Sequence, residues 1–186
     1  MNSTKRASVP DFPFFAVIPG APIGKGRGRA TVVGGHARIY TPKRTAEWER
    51  GTAFVLRSLW KKVPFGGPVE VQLLAAAPRP KRLMRKKDPD GLVWKPKTPD
   101  ADNIEKSTWD AIVMAGIIRD DCQVVKCGCQ DCYAEKDGIP RIEIMIRPIC
   151  GEPRSFIPKG QVINEVKDDF KDIGDACDDN WDVSCF

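Results

Sequence analysis

The stretch that decides the fold reads TPDADNIEKSTWDAIVMAGIIRDD and covers residues 98–121. Its apolar residues recur with helical spacing, which predicts a helix over residues 104–115. Asp102 suits the N-cap of this helix, and Glu105 follows at the spacing of a capping box. Gly116 is a natural end for the helix, because glycine readily adopts the left-handed conformation that closes helices. The predicted buried face consists of Ile104, Ala111, Ile112 and Ala115.

Four carboxylates bracket this predicted helix. Asp100 and Asp102 precede it in an extended segment, whereas Asp120 and Asp121 follow it in a tight turn. If the chain doubles back after the helix, the two pairs meet in one site rich in oxygen ligands, which suits Mg²⁺ or Mn²⁺ better than Zn²⁺. Lys106 lies one helical turn from Asp102, where its ammonium can contact a phosphate or offset developing charge.

Each of these residues also has an ordinary structural interpretation. Asp102 alone is a suitable N-cap, Lys106 and Asp110 are spaced as a surface ion pair, and Asp120 with Asp121 suits a turn. Taken together the carboxylates are harder to dismiss, because they bracket one helix directly after a basic, proline-rich segment. The cluster therefore favours a divalent-metal site.

The residues upstream of this stretch predict a strand, a hairpin and a helix. The apolar run over residues 12–18 predicts a buried strand. Gly34-Gly35 predicts a hairpin turn, because adjacent glycines accept positive φ angles, and His36 beside the turn is expected to face solvent. A helix is expected to begin with Thr41 as its N-cap and Pro42 in the first helical position. Its predicted buried face consists of Trp48, Thr52, Val55 and Leu59.

Alternation of apolar residues predicts the remaining strands. One strand is expected from Val69 onward, and two more over residues 123–129 and 141–147. The chain length suits a single domain, which we expect over residues 11–149. The pattern as a whole predicts an α+β fold with a mixed sheet and two main helices.

The charge of the chain is unevenly distributed. Residues 1–150 contain 26 Lys and Arg against 16 Asp and Glu, a net charge of +10, whereas residues 151–186 contain 4 against 9, a net charge of −5. A basic body favours a polyanionic partner, most simply nucleic acid. Residues 150–186 are expected to form a disordered acidic tail.

Two basic segments are candidates for contact with that partner. Lys25, Arg27 and Arg29 occupy alternate positions in a glycine-rich loop. Residues 78–99 contain five prolines, eight Lys and Arg and only two Asp, which predicts an extended, solvated linker. Such linkers are often merely solvated, but the position of this one before the carboxylates favours binding through Lys95 and Lys97.

The cysteines leave two interpretations open. No run of about 18 apolar residues predicts a membrane span, and Met1 to Arg6 lack the apolar segment of a signal peptide, so free thiols in a cytoplasmic protein are expected. The C-x-C-x-x-C spacing of Cys127, Cys129 and Cys132, close after Cys122, can bind zinc or a soft metal. Val125, Cys127 and Cys129 also alternate along a predicted strand, which suits packing in the core.

The acidic stretch resembles a known family motif. Thr98-Pro-Asp-Ala-Asp-Asn-Ile-Glu-Lys106, Trp109-Asp-Ala111 and Gly116-Ile-Ile-Arg-Asp-Asp121 resemble the RusA family of Holliday junction resolvases, found in phages, prophages and bacteria. The segment from Pro19 to Arg29 is similar to the family's basic N-terminal motif, and Tyr40-Thr-Pro42 to the pattern before its first helix. The resemblance covers roughly residues 14–148.

This resemblance implies specific roles. Asp100, Asp102 and Asp121 correspond to catalytic, metal-binding aspartates, Asp120 to the neighbouring acidic position, and Lys106 to the lysine needed for cleavage. It implies a homodimeric, Mg²⁺-dependent endonuclease, with Mn²⁺ as a substitute and no organic cofactor. Such an enzyme nicks symmetric strands of four-way DNA junctions during recombination and repair, leaving 5′-phosphate and 3′-hydroxyl ends. We expect it in the cytoplasm, associated with the nucleoid.

Two other functions stay open at this point. The first is a non-catalytic protein of the same fold that binds branched DNA, although the intact Asp100, Asp102, Asp121 and Lys106 argue against it. The second is a regulatory module centred on a metal held by the cysteines.

Overall fold

The structure, a computed structural model, describes residues 13–151. The predicted acidic tail from residue 152 onward and the first residue of the predicted N-terminal strand lie outside this range, and the predicted domain boundaries stay predictions. Within the range, no helix has the length and apolar character needed to cross a membrane. The elements in chain order are β1 (Phe14–Pro19), β2 (Arg29–Val33), β3 (His36–Tyr40), α1 (Lys43–Leu59), β4 (Val69–Ala77), β5 (Val93–Trp94), α2 (Ala101–Ala115), β6 (Val124–Tyr133) and β7 (Arg141–Pro148).

The strands form a mixed sheet and a separate hairpin, as predicted for an α+β fold. The five-stranded sheet has the order β1-β7-β4-β6-β5, in which β4 and β6 are parallel and the other neighbours antiparallel. Both helices pack on one face of it, and the core lies between them and the sheet. The alternating Ile142, Ile144 and Ile146 of β7 are all buried there.

The hairpin of β2 and β3 confirms the predicted turn. Gly34 and Gly35 connect the strands with φ angles of +59° and +82°, which only glycine adopts easily in succession. His36 is exposed, as expected. The prediction for β1 was only half right, because Phe15 is 65% exposed and Val17 also faces solvent. This strand lies at the sheet edge and the helices cover one of its faces, so alternate residues stay outside.

Helix α1 differs from its prediction in its start and its buried face. It begins at Lys43, and Pro42 rather than Thr41 occupies the N-cap position, without a side-chain capping bond. The inner face is turned relative to the prediction, so that Leu59 is exposed, while Trp48 and Val55 are only partly buried. The buried residues are Thr45, Glu49, Thr52, Ala53 and Leu56.

Helix α2 confirms the predicted apolar face and its end, but it begins earlier. Ile104, Ala111, Ile112 and Ala115 are buried, and Gly116 closes the helix with φ +76°. The N-cap position belongs to Asp100, and the capping box predicted for Asp102 and Glu105 does not form. Asp102 therefore lies within the first helical turn instead of in an extended approach.

The cysteine segment does not pack as predicted. Strand β6 places Val125, Cys127 and Cys129 on one side and Cys132 on the other, because side chains alternate along a strand. Val125 is 60% exposed and Cys127 is exposed, because the two-residue β5 pairs only with the end of β6 and leaves its beginning at the sheet edge. Cys129 is partly buried, and this burial raises the pKa of its thiol to about 12. Over residues 13–151, no three His, Cys, Asp or Glu side chains are grouped to hold a metal.

The proline-rich segment is more ordered than the predicted linker. It contains a short 3₁₀ turn over Lys81–Leu83 and the strand β5. The Arg79 guanidinium donates hydrogen bonds to the carbonyls of Pro89 and Gly91 within the segment. It also donates to the carbonyl of Ala134, directly after β6, and this bond attaches the segment to the end of the sheet.

Candidate functional site

Asp100, Asp102 and Lys106 lie together at the N-terminus of α2. Asp100 is exposed, and its side chain makes no capping bond, so its carboxylate is not used by its own helix. The Asp102 carboxylate accepts a hydrogen bond from Lys106 Nζ at 2.9 Å, and this bond lowers the pKa of Asp102. Both side chains of that pair are more than half exposed. An ionised carboxylate and an ammonium thus face solvent at the positive end of the helix dipole, which attracts phosphate.

Asp120 and Asp121 lie beyond the other end of α2. The Asp120 side chain accepts a hydrogen bond from the Cys122 backbone N–H at 2.9 Å, and hydrogen bonds from the Cys122 thiol and backbone lower the pKa of Asp120. Gln123 completes this turn, because its side chain accepts from the Asp120 N–H and donates to the carbonyls of Phe65 and Gly67. The turn is therefore held rigidly, and Asp121 is exposed on it.

A single copy of the chain does not bring the two carboxylate pairs together. Helix α2 has 15 residues, which corresponds to a length of about 22 Å. Asp120 and Asp121 line a cavity of about 350 Å³ at its C-terminal end, together with Val113 and Met114. The chain does double back as expected, but it does so after Asp121, along β6. The strand therefore returns to the N-terminus of α2 without the aspartates.

Lys25 lies close to Asp120 and Asp121, but its ammonium already forms ion pairs with other carboxylates. Its ammonium binds Glu49 at 2.7 Å and also Asp110, two carboxylates that line the same cavity. Burial lowers the pKa of Lys25, but the hydrogen bonds to Asp110 and Glu49 outweigh it and leave that pKa raised. Asp110 therefore pairs with Lys25, and the surface pair with Lys106 does not form.

The glycine-rich loop lies directly against the surfaces that flank the site. The Lys25 N–H donates to the Asn103 carbonyl, and the Ser107 hydroxyl to the Ile23 carbonyl, each at 2.7 Å. A Cβ at Gly24 would lie 2.7 Å from Pro99 Cβ, and one at Gly26 would lie 2.9 Å from Pro42 Cγ. Only glycine permits this close approach.

Three exposed arginines line a larger cavity beside this loop. Arg27 lies in the loop, Arg29 is the first residue of β2, and Arg44 lies in the first turn of α1. The cavity has a volume of about 550 Å³, and Pro99 forms part of its wall. The first turn of α1 contains no acidic residue. This surface suits a polyanion next to Asp100.

Lys95 and Lys97 have different environments. Lys97 is exposed, as a contact with DNA requires. The Lys95 side chain is 4% exposed and forms an ion pair with Asp131 at 2.6 Å. Its ammonium is therefore not presented at the surface.

Glu49 and Arg44 are the residues that sequence reasoning missed. Glu49 lies on the same buried face of α1 as Thr45 and Leu56. If the buried face of α1 had been predicted around these residues, Glu49 would have stood out as a buried acidic residue. Arg44 carried no signal beyond its charge, because its cavity is made by a loop that is distant in sequence.

Comparison with known proteins gives two similarities. The model of a family described as "Endodeoxyribonuclease RusA" matches residues 19–147, a range that includes every candidate residue from Lys25 to Asp121. A Bacillus subtilis (strain 168) protein named "Uncharacterized protein YqaN" is 29% identical over 137 residues, which cover 71% of this chain and 94% of that protein.

Proposed function

The chain belongs to the RusA endodeoxyribonuclease family, whose members cleave Holliday junctions, and we propose that it resolves four-way DNA junctions by paired symmetric nicks in a Mg²⁺-dependent reaction. The observation that carries this proposal is the presence of Asp100, Asp102, Asp120, Asp121 and Lys106 at exposed positions inside the matched range. Its DNA substrate supports a place in the cytoplasm, at the nucleoid, with roles in recombination and repair.

The donor set fits a hard divalent cation. RusA nucleases generally depend on a divalent metal, and Asp100, Asp102, Asp120 and Asp121 supply the carboxylate oxygens that Mg²⁺ and Mn²⁺ prefer. A bound Mg²⁺ would polarise the scissile phosphoryl group and lower the pKa of a bound water. Lys106 keeps Asp102 ionised, as a metal ligand must be, and adds positive charge where the phosphate arrives.

The separation of the two carboxylate pairs supports a homodimer. Ligand oxygens of one Mg²⁺ lie about 2 Å from the ion and hence no more than about 4 Å from one another, whereas α2 alone is about 22 Å long. In a two-fold dimer with antiparallel α2 helices, Asp100 and Asp102 of one subunit would meet Asp120 and Asp121 of the partner subunit. Two-fold symmetry repeats this arrangement and supplies the two opposed sites that paired nicks require.

The basic surface beside Asp100 provides the DNA contacts of the proposal. Arg27, Arg29, Arg44 and Lys97 are exposed, and contacts from such residues to phosphates position DNA without reading its sequence. Lys25 has a supporting role, because its ion pairs with Glu49 and Asp110 attach the loop to both helices. Binding should weaken steeply with salt, since each neutralised phosphate releases counterions.

A labelled synthetic four-way junction tests the proposal. The protein should nick symmetric strands in Mg²⁺ or Mn²⁺ and only bind the junction in Ca²⁺, which accepts looser coordination. Asp102→Asn should abolish cleavage while binding survives or tightens, because the substitution removes a metal ligand and a charge that repels phosphate. Cleavage by Asp102→Asn at the wild-type rate would contradict the assignment of the site.

A non-catalytic protein that binds branched DNA is the second candidate. It is favoured by the separation of the carboxylate pairs, since a chain that never dimerised in this way would hold no complete metal site. Tight junction binding with no nicks in Mg²⁺ or Mn²⁺, by a protein that sediments as a monomer of 20.7 kDa, would select this alternative.

A further inference from the structure

Lys95 has an environment unusual for a lysine. Its ammonium binds Asp131 Oδ2 at 2.6 Å, donates to the Pro99 carbonyl at 2.9 Å, and donates also to the Lys97 carbonyl. An ammonium has three N–H donors, so these partners use all of them. The Lys95 side chain is 4% exposed and that of Asp131 11%. No donor is left for a DNA phosphate.

The three contacts connect the end of the sheet to the start of α2. Asp131 belongs to β6, and the Lys95 N–H also donates to the Asp131 carbonyl at 3.1 Å. Pro99 directly precedes Asp100, whose carbonyl accepts the Ile104 N–H at 3.1 Å inside α2. Lys95 therefore holds the peptide on which the Asp100 carboxylate is mounted.

Pro99 is confined on a second side by the glycine-rich loop. A Cβ on Gly24 would lie only 2.7 Å from Pro99 Cβ, so the loop and the proline are in close contact. With the Pro99 carbonyl bound by Lys95 and its ring against Gly24, this residue has little freedom to move. Because Asp100 is bonded directly to Pro99, its backbone is restricted as well.

The cost of this arrangement indicates a role beyond stability. Taking two charges out of water is unfavourable, and apolar pairs of similar volume often replace buried ion pairs without loss of stability. An apolar side chain, however, cannot hold two carbonyl oxygens in place. The particular contribution of Lys95 is thus the geometry of residues 97–100.

We propose that Lys95 is a positioning residue, which holds the Pro99 carbonyl so that the Asp100 carboxylate is preorganised for metal and phosphate. This inference rests on the proposed function and replaces the DNA contact that the sequence predicts for Lys95. Outer residues that orient a metal ligand typically change metal affinity or activity by about 10- to 100-fold when they are substituted. A misplaced Asp100 carboxylate should have an effect of that size.

Three variants separate positioning from stability. Lys95→Met leaves Asp131 as an uncompensated buried carboxylate, so it should lose both stability and cleavage rate. The double variant Lys95→Met with Asp131→Leu removes both charges and should recover stability, but it still lacks the bonds to the two carbonyls. Lys61→Met removes a charge from an exposed position and serves as the matched control.

The variants are compared by urea unfolding, by junction affinity in Ca²⁺, and by single-turnover cleavage at saturating protein over a range of Mg²⁺ concentrations. In the double variant, stability and affinity should return to wild-type values, while cleavage stays about 10- to 100-fold slower and half-saturation by Mg²⁺ needs a higher concentration. Wild-type cleavage by the double variant would overturn the positioning role. If the double variant does not fold, Lys95→Met below its own unfolding transition replaces it, with rates corrected for the folded fraction.

Hydrogen exchange provides a readout that does not depend on catalysis. Without the Lys95 bonds, the hydrogen-bonded amides of Lys97 and Ile104 should exchange at least about tenfold faster in the double variant, while those of β4 and β7 stay protected. Unchanged exchange of the Lys97 and Ile104 amides would overturn the inference even if the wild-type protein cleaves junctions. A wild-type protein that binds junctions without cleaving them would contradict the proposed function, and the exchange result would still decide the role of Lys95.

Discussion

Placing the two aspartate substitutions in the same or in different subunits tests whether the active site is shared between subunits. Asp102 and Asp121 lie at opposite ends of the 15-residue α2, a length of about 22 Å, whereas one Mg²⁺ spans about 4 Å between ligand oxygens. Asp102→Asn and Asp121→Asn homodimers should therefore both be inactive. A heterodimer with one substitution in each subunit keeps one intact site, made of Asp102 from one subunit and Asp121 from the other.

Differently tagged subunits can be co-expressed and the heterodimer purified through both tags. With the substitutions in different subunits, nicking should start at about half the wild-type rate, because one of two symmetric sites is intact. Each junction should receive a single nick, visible on a denaturing gel as cleavage without resolution. With both substitutions in one subunit and none in the other, both shared sites are damaged and no nicks should form.

The opposite pattern would refute the reasoning. If each subunit contained a complete site, the heterodimer with separated substitutions would be inactive, and the heterodimer with one wild-type subunit would nick one strand. Wild-type protein that sediments as a monomer and still makes paired nicks would also contradict the shared site.

Three further changes have expected outcomes. In a filter-binding titration, Arg44→Gln should weaken junction binding and reduce the slope of log affinity against log salt by about one unit. The control is Arg50→Gln, because Arg50 is exposed on the same helix but lies outside the arginine-lined cavity, and it should leave the slope unchanged. Gly26→Ala should cost about 1–3 kcal/mol in urea unfolding, because its Cβ would lie 2.9 Å from Pro42 Cγ, and an unaltered midpoint would contradict this close packing. Glu135→Gln should cost about 1 kcal/mol at neutral pH, allowing for solvent screening, because hydrogen bonds from Arg141 lower the pKa of Glu135 from 4.5 to about 2. That stabilisation is present above pH 4.5 and is lost as the pH falls through about 2, so the difference between wild type and variant should disappear at lower pH, and a difference independent of pH would contradict the ion pair.

The parts of the fold that were predictable depend on signals within a few residues. Ile142, Ile144 and Ile146 recur at every second position, between the charged Arg141, Glu143 and Arg147 and the apolar Met145, and are buried on one side of β7. Gly34 and Gly35 form the hairpin turn and Gly116 ends α2, because each adopts a positive φ angle that other residues avoid. The φ angles that a residue prefers and the spacing of apolar residues depend only on the local sequence, so these elements could be identified from their own residues.

The start of α2 shows where such local signals become ambiguous. Asp100 and Asp102 are equally suitable N-caps, and the spacing to Glu105 favoured the second. The structure selects Asp100, which follows a proline held by Lys95 and Gly24. The residue before the N-cap of α2 is thus held by residues that lie outside the helix.

The sequence was sufficient to identify the candidate residues, whereas the tertiary structure decided which of them lie close to one another. The acidic motif identified Asp100, Asp102, Asp120 and Asp121, and it carried the resemblance to the family together with the basic segment from Pro19 to Arg29. That spacing left open whether the chain reverses before or after Asp121, and the reversal after it sets the two pairs at opposite ends of α2.

Two of the three lysines that the sequence placed on DNA, Lys25 and Lys95, show the same limit. Lys25 pairs with carboxylates 24 and 85 residues away, and Lys95 with Asp131 in β6. A lysine is expected at the surface because burying its charge is costly, and only a partner brought near by folding removes that cost. Residue type and local period determined the elements and the chemistry available, and long-range ion pairing decided which charges remain free to act.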